Sequence, residues 1–313
     1  MRGMKTRTIP AIGLLTCMSL AITACGDGGG DGGGGGTVTV GSKEFNEQLL
    51  LGQIAILALE DAGYNVRDET EIRGTSTVRN ALESGDIDLY WEYTGTGWNE
   101  ILGHEAAEAP RSPEELAQAV REEDAGNGIV WLEPADASNG YAIAAHQDTV
   151  AEFGVETLSD YAELAGSNPD DASLCAAAEF LDRPDGWPGI EEGYGFDLPQ
   201  SEEEEMELEV VYARVPERDP CNFGEVFETD GRIQGNDLVV IEDDQEVFVK
   251  YNIAMTVREE ALDENPEIEE IFNEIAAVLD TETLTALNVQ VDVDNEDPED
   301  VARAFLEEND LIG

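Results

Sequence analysis

Hydrophobic and polar residues alternate over residues 37–40, and this period of two predicts a β-strand. After a Gly-Ser-Lys turn, residues 46–62 carry apolar side chains at helical spacing, and Gly63 is placed to end that helix in a left-handed conformation. A second strand at 66–72, a helix from a Gly-Thr-Ser turn to residue 84, and a third strand at 87–91 follow. The succession βαβαβ predicts a parallel α/β sheet.

Three helix starts are marked further along the chain. Ser112-Pro113, Asn265-Pro266 and Asp297-Pro298 each place a capping side chain before a proline at the first helical position. Helices near 267–279 and 298–308 therefore predict an α-rich end to the chain.

Two segments in the middle of the chain are predicted from composition. Residues 208–213 are rich in apolar and β-branched residues, and we predict a strand there. The four glutamates at 202–205 could bind calcium, but such a run is more typical of a solvated loop, which is the prediction we adopt.

The chain is strongly acidic, with 71 Asp and Glu against 16 Lys and Arg in 313 residues and a formal net charge of −55. Nucleic acids and anionic membrane surfaces are polyanions, so repulsion excludes both as partners bound by charge. Hydrophobic residues make up 41% of the chain, enough for one large or two medium globular domains. We interpret the acid excess as an adaptation to high salt; the alternative is a surface kept acidic for solubility alone.

The N-terminus has the organisation of an export signal. Basic residues precede an apolar segment at 9–22, which is too short to span a membrane, so residues 1–24 are predicted to be a signal peptide. The segment Ile22-Thr23-Ala24-Cys25 resembles the lipobox of bacterial lipoproteins, in which the cysteine carries lipid. Nine glycines and two aspartates follow at 26–36, a flexible coil of roughly 18 Å that suits a tether. The alternative is a disordered end without a function.

Cysteine usage fits an exported domain. Cys17 leaves with the signal and Cys25 is assigned to the lipid, so Cys175 and Cys221 remain. In an oxidising compartment a lone pair is most simply one disulfide, with two free thiols as the alternative.

Three turns follow the predicted parallel strands, where ligands of open α/β sheets bind. They are Gly41-Ser42-Lys43, Gly74-Thr75-Ser76 and Tyr93-Thr94-Gly95-Thr96-Gly97. Lys43 is notable because the exported chain has one other lysine, Lys250. Taken alone, each turn is equally compatible with ordinary loop chemistry.

Four longer segments together resemble a known family. They are GSKEFNEQLLLGQI (41–54), GDIDLYWEYTGT (85–96), EFLDRPDGWPGIEEGYGF (179–196) and FETDGRIQGNDLVVIEDD (227–244). In this order they resemble the substrate-binding proteins of osmoprotectant ABC transporters, which bind glycine betaine, choline and carnitine. The resemblance covers nearly the whole exported chain.

The resemblance implies a two-lobed α/β clamp of the periplasmic binding protein type (type II), with the ligand between the lobes. It places the chain crossings near 139–142 and 249–253. Lobe 1 is then residues 37–140 plus 250–313, and lobe 2 is residues 141–249, with both Cys175 and Cys221 in lobe 2.

The implied ligand requires aromatic side chains. A quaternary ammonium has no N–H, so it is held by the faces of aromatic rings. By resemblance, Tyr93 and Tyr141 match two tyrosines of an aromatic cage, and Tyr212 is assigned as the third. The fourth position falls at Asn236, where the sequence departs from the family unless Phe227 or another ring fills the gap.

The other end of a betaine is a carboxylate. Lys43, Arg183 and the Thr96 hydroxyl match the family's carboxylate-binding positions, and charge-assisted bonds to Lys and Arg are strong. Lys43 and Thr96 belong to one lobe and Arg183 to the other, so a ligand that bridges them favours the closed form. A surface salt bridge is the alternative role for Arg183.

The sequence therefore predicts a receptor that is anchored by lipid to the outer face of the cytoplasmic membrane and delivers glycine betaine to an ABC permease. Choline, carnitine or ectoine is the alternative ligand. We expect a monomer that is not an enzyme and uses no cofactor or metal. A surface-anchored hydrolase is a weaker hypothesis because His104 and His146 lie in no recognisable catalytic motif, and an acidic structural protein is a third.

Overall fold

The computed structural model describes residues 36–183 and 186–313. The predicted signal peptide, Cys25 with its predicted lipid, and the predicted tether except for Gly36 lie outside the described residues.

The described residues form two sheets of five strands each. The strands are β1 (Thr37–Lys43), β2 (Asn65–Ile72), β3 (Leu89–Tyr93), β4 (Ile129–Trp131), β5 (Tyr141–His146), β6 (Leu174–Ala176), β7 (Glu203–Glu205), β8 (Phe223–Phe227), β9 (Leu238–Val240) and β10 (Ile253–Arg258).

Helices surround both sheets. They are α1 (Asn46–Asp61), α2 (Thr75–Ser84), α3 (Thr94–Thr96), α4 (Pro113–Asp124), α5 (Gln147–Phe153), α6 (Leu158–Ser167), α7 (Ala178–Asp182), α8 (Trp187–Tyr194), α9 (Leu208–Arg214), α10 (Gly231–Gly235), α11 (Glu259–Glu264), α12 (Glu267–Val278), α13 (Thr281–Asp292) and α14 (Pro298–Glu308). A π-helical turn, Gly97–Ile101, directly follows α3.

The first sheet has the strand order β2-β1-β3-β10-β4. Strands β2 and β3 run parallel to β1, as the βαβαβ pattern predicts, whereas β10 is antiparallel to β3 and β4. Helix α1 packs on this sheet and against α14, which explains why it is apolar on most sides. The carboxyl ends of β1, β2 and β3 therefore lie at one edge of the sheet.

The second sheet has the order β7-β6-β8-β5-β9, with β6 parallel to β7 and β8 and with β5 antiparallel to β8 and β9. The chain enters it between β4 and β5 and returns to the first sheet between β9 and β10. Near these connections, Ser138 and Asn252 pair in an isolated antiparallel bridge. A disulfide joins Cys175 in β6 to Cys221, two residues before β8 begins.

Two sequence predictions in the second sheet were wrong. Residues predicted as a strand form helix α9, because Leu208, Val211, Tyr212 and Val215 recur at helical spacing and pack against the sheet. The glutamate run predicted as a loop includes the short strand β7. It lies at the sheet edge, where glutamate side chains reach water and charged residues are well tolerated.

Two of the three predicted helix caps are confirmed, and the third is not. The Ser112 side chain accepts from the Glu115 N–H and that of Asp297 from the Glu299 N–H, so both caps are confirmed. A helix also begins after Pro266, but Asn265 does not cap it, since its side-chain amide donates back to the Ala261 carbonyl. Gly63 has the predicted left-handed conformation, with φ +89°.

No helix within the described ranges is long and apolar enough to cross a membrane.

Candidate functional site

A cavity of about 960 Å³ is lined by residues of both sheets, and we call it the cleft. All three turns that the sequence singled out reach it, since the cavity touches Lys43, the segment that begins at Gly74, Tyr93 and Thr96. On the opposite side it is lined by Tyr141 at the start of β5 and by residues that follow β6 and β8. The cleft thus lies beyond the carboxyl ends of the parallel strands, the usual ligand position in such folds.

The structure brings together five of the seven residues predicted to bind ligand. Lys43, Tyr93, Thr96, Tyr141 and Arg183 all line the cleft.

The other two lie outside the cleft lining. Tyr212 is 2% exposed, and its hydroxyl oxygen accepts a hydrogen bond from the Phe227 N–H at 3.0 Å. The Arg232 guanidinium stacks on this ring at 3.9 Å, so Tyr212 supports the strand that carries Phe227. Asn236 follows α10 as its C-terminal cap.

Aromatic rings line the cleft on both sides. Phe227 stacks on Tyr141 with ring centroids 5.2 Å apart, and Tyr251 meets Tyr141 edge-on at 6.4 Å. On the side of the first sheet, Phe45 lies parallel to Tyr93 at 6.3 Å and is 41% exposed, an unusual position for a phenylalanine. We call Phe45 and Tyr93 the first wall, and Tyr141 and Phe227 the second wall.

Sequence reasoning did not select Phe45 or Tyr251. Phe45 stands in the first of the four motifs, next to the Lys43 turn, so its position was a usable signal. Tyr251 approaches the turn after β3, where a Cβ on Gly95 would lie 2.7 Å from its ring. The glycine of the YTGT segment is thus needed for close packing, which a single sequence does not reveal.

The basic residues of the cleft are paired with carboxylates. Lys43 Nζ lies 2.6 Å from Glu92 Oε1 and 5.2 Å from the Tyr93 ring centroid. Arg232 pairs with Asp230 at 2.6 Å. Because Glu92 is fully buried, its ion pair with Lys43 is shielded from solvent.

Arg183 extends from the end of α7 into the cleft. Its Nη1 lies 2.9 Å from Glu179 Oε1 and 3.8 Å from Glu100 Oε1, which belongs to the π-helical turn after α3. Its guanidinium carbon is 5.6 Å from the Tyr141 ring centroid. This side chain therefore spans the cleft between an aromatic wall and the opposite side.

A buried carboxylate that sequence reasoning missed lies at the base of the cleft. Glu47 is 6% exposed and accepts hydrogen bonds from Tyr93, Asn139, Thr229 and Asn288. Burial raises the pKa of Glu47, and these four hydrogen bonds oppose the rise.

Among the described residues, no group of three or more His, Cys, Asp or Glu side chains is arranged to hold a metal ion. The cleft offers aromatic faces that suit a cation, with basic and hydroxyl groups nearby that suit an anion.

The chain matches a protein family over residues 36–308, described as the substrate binding domain of ABC-type glycine betaine transport systems. It is 34% identical to the glycine-betaine-binding protein of Pseudomonas aeruginosa over 302 residues, 94% of each chain. It is 31% identical to the glycine betaine-binding protein YehZ of Escherichia coli over 278 residues, 87% of this chain and 90% of that one.

Solved structures show the same architecture. Apo YehZ from Escherichia coli aligns with a TM-score of 0.75 at 31% identity, covering 88% of this chain and 99% of that one. A structure of a glycine betaine/carnitine/choline ABC transporter aligns with a TM-score of 0.79 at 22% identity, covering 88% of this chain and 99% of that one. These neighbours are two-lobed substrate-binding proteins, and the mixed α/β fold with two sheets is of that type. The chain therefore belongs to the family of substrate binding domains of ABC-type glycine betaine transport systems.

Proposed function

We propose that this protein is the receptor of an ABC importer and binds glycine betaine or a closely related quaternary amine. The observation that carries the proposal is the pair of aromatic walls that line one cleft, Phe45 with Tyr93 and Tyr141 with Phe227. A quaternary ammonium offers methyl groups and a diffuse positive charge, and ring faces satisfy both. The relatives of this chain are transport binding proteins, which work outside the cytoplasm with a membrane permease.

The carboxylate of the ligand is assigned to Lys43, Arg183 and Thr96. All three line the cleft, and Arg183 reaches it from the second-sheet side while the other two come from the first. Arg183 is paired with carboxylates on both sides, so a ligand carboxylate replaces one of these partners. A ligand held by both sides stabilises the closed form because only that form makes both sets of contacts.

The two lobes are assigned to residues 37–140 plus 250–313 and to residues 141–249. Strands β1–β4 and β10 make up one sheet and β5–β9 the other, which supports these boundaries. Tyr141 and Tyr251 stand at the two connections, so closure rotates aromatic side chains of the cleft together with the hinge.

We also propose that the N-terminal residues anchor the protein to the membrane. The signal peptide at 1–24 directs export and is removed, after which the lipid on Cys25 and the glycine tether to residue 36 hold a monomeric receptor at the outer face of the cytoplasmic membrane. A Cys25→Ala variant is then released into the soluble extracytoplasmic fraction. Retention of that variant in the membrane fraction would contradict the anchor.

Isothermal titration calorimetry tests the ligand assignment. Glycine betaine, choline, carnitine and ectoine are titrated at low and high salt, and at least one is expected to bind. Tyr141→Phe retains the ring face, whereas Tyr141→Leu removes it and should weaken binding by about 30-fold, the value of a desolvated cation–π contact of about 2 kcal/mol. Absence of heat with all four solutes would refute the proposal, and equal affinities of the two variants would refute the role of the ring.

A further inference from the structure

Glu47 connects four separate segments of the chain. Its Oε1 accepts from the Tyr93 hydroxyl at 2.7 Å and from Asn139 Nδ2 at 2.8 Å. Its Oε2 accepts from the Thr229 hydroxyl at 2.5 Å and from Asn288 Nδ2 at 2.7 Å. These donors lie on β3, on the connection between the sheets, after β8 and on α13, respectively.

The segment after β8 is also pressed against α13. Asn288 Nδ2 donates to the Thr229 carbonyl at 2.8 Å, in addition to its bond with Glu47. A Cβ on Gly231 would lie 2.6 Å from the Val289 backbone nitrogen, so only glycine permits this approach. The second sheet is thus joined to α13 by backbone packing as well as by the Glu47 carboxylate.

The same carboxylate is linked to both aromatic walls. Tyr93 belongs to the first wall and donates directly to Glu47. Thr229 is two residues from Phe227 of the second wall and donates to the other oxygen. An amide or an alkyl group at position 47 could not accept from all four donors, since only an ionised carboxylate has acceptor sites on both atoms and no donor of its own.

We propose that Glu47 is a positioning residue that fixes the two aromatic walls relative to each other and thereby sets the resting separation of the cleft. We call the four hydrogen bonds to the Glu47 carboxylate the tie, and it is present without any ligand. The effect of the tie on ligand affinity rests on the proposed function. Walls that are already held at the correct separation lose less conformational freedom when a ligand binds between them, so the ligand binds more tightly.

The test compares two substitutions at Thr229. Thr229→Val has nearly the same volume but donates no hydrogen bond to Glu47, whereas Thr229→Ser keeps the donor. Thr149→Val serves as a control, because Thr149 is buried in α5 away from the cleft and its hydroxyl has no partner among the described residues. Circular dichroism and thermal unfolding establish that each variant is folded.

Small-angle scattering of the ligand-free protein tests whether the tie sets the separation of the two sides of the cleft. Thr229→Val is expected to increase the radius of gyration, while Thr229→Ser and Thr149→Val keep the wild-type value. Titration with glycine betaine should show about tenfold weaker binding for Thr229→Val, because its walls lose more freedom when the ligand binds, and near wild-type binding for Thr229→Ser.

The scattering and titration experiments distinguish a failure of this inference from a failure of the proposed function. If wild type binds none of glycine betaine, choline, carnitine and ectoine, the proposed function fails, yet the scattering measurement still decides whether Glu47 holds the two walls together. If Thr229→Val has the same ligand-free radius as Thr229→Ser, the inference is overturned. Should Thr229→Val not fold, Tyr93→Phe removes another donor to Glu47 while retaining the ring, and an unchanged ligand-free radius for that variant overturns the inference as well.

Discussion

Four acidic residues are buried among the described residues, and each is accommodated differently. Glu92 pairs with Lys43, and Asp124 forms a bidentate pair with Arg79. Glu47 is held by neutral donors alone. Glu225 on β8 accepts from the Ala177 N–H at 2.7 Å and has the least compensation of the four. Each of these four buried carboxylates thus bonds to another segment of the chain.

The first prediction concerns Glu225. Burial raises the pKa of its carboxyl from 4.5 to about 7. A raised pKa in the folded state means that the stabilisation is present below the unfolded value of 4.5 and is lost as pH rises through about 7. Between these values wild type should lose about 3 kcal/mol of unfolding free energy relative to Glu225→Gln.

Urea unfolding of both proteins from pH 4.5 to 7.5 measures this difference. Glu204→Gln on β7, the edge strand of the same sheet, controls for the loss of one negative charge, because Glu204 is exposed. A difference between wild type and Glu225→Gln that stays constant over this range would contradict the raised pKa.

The second prediction separates the two ends of the ligand. Arg183→Met should weaken glycine betaine binding by about 10- to 100-fold, since one charge-assisted contact to the carboxylate is lost. Choline has no carboxylate, so its binding should change much less. Arg214→Met is a matched control because Arg214 pairs with Glu217 and does not line the cleft. Equal losses for the two ligands, measured by calorimetry, would exclude the assigned role of Arg183.

At the scale of elements, the sequence was most informative where structure is determined locally. The order β1, α1, β2, α2, β3 follows from hydrophobic periodicity and glycine turns, both of which act over a few residues. The strand predicted in place of helix α9 is wrong because an apolar, β-branched composition favours a strand. The observed helix is stabilised by the packing of its inward face. Composition is a weaker guide than spacing in this segment.

The candidate site was predictable only in part for a related physical reason. The four donors to Glu47 lie 46, 92, 182 and 241 residues away in sequence. No local pattern encodes contacts over such separations, so the network was missed. Tyr212 carries the expected residue type, but its hydroxyl accepts from the Phe227 backbone N–H and its ring is buried outside the cleft lining.

The third prediction concerns the cap of the last helix, α14, which packs against α1. The Asp297 side chain accepts from the Glu299 N–H at 3.0 Å, and its charge lies at the positive end of the helix dipole. Asp297→Ala should lower the unfolding free energy by about 1 kcal/mol, whereas Asp297→Ser keeps a capping oxygen and should lose less. Chemical denaturation of the two variants provides the comparison, and equal losses would mean that capping is not the cause.

At the scale of the whole molecule, ligand binding and charge act together. Closure brings the two sides of a cleft lined by acids such as Glu44, Glu100 and Glu179 closer to one another. Mutual repulsion of these carboxylates opposes closure, and a cationic group held between the aromatic walls reduces it. Under the proposed function, the acidity of the cleft favours a ligand that carries a cationic group.

The last prediction is that stability depends on salt through screening. A net charge of −55 in one chain produces strong self-repulsion in the folded state, since only four acids are buried among the described residues. The melting temperature should therefore rise steeply up to about 1 M NaCl, where the screening length has fallen to about 3 Å, and level off above it. Thermal unfolding in NaCl and in sucrose separates two causes, because sucrose stabilises by exclusion from the surface without screening charge. Equal stabilisation by sucrose, or a flat response to NaCl, would show that repulsion between the acids does not limit the fold.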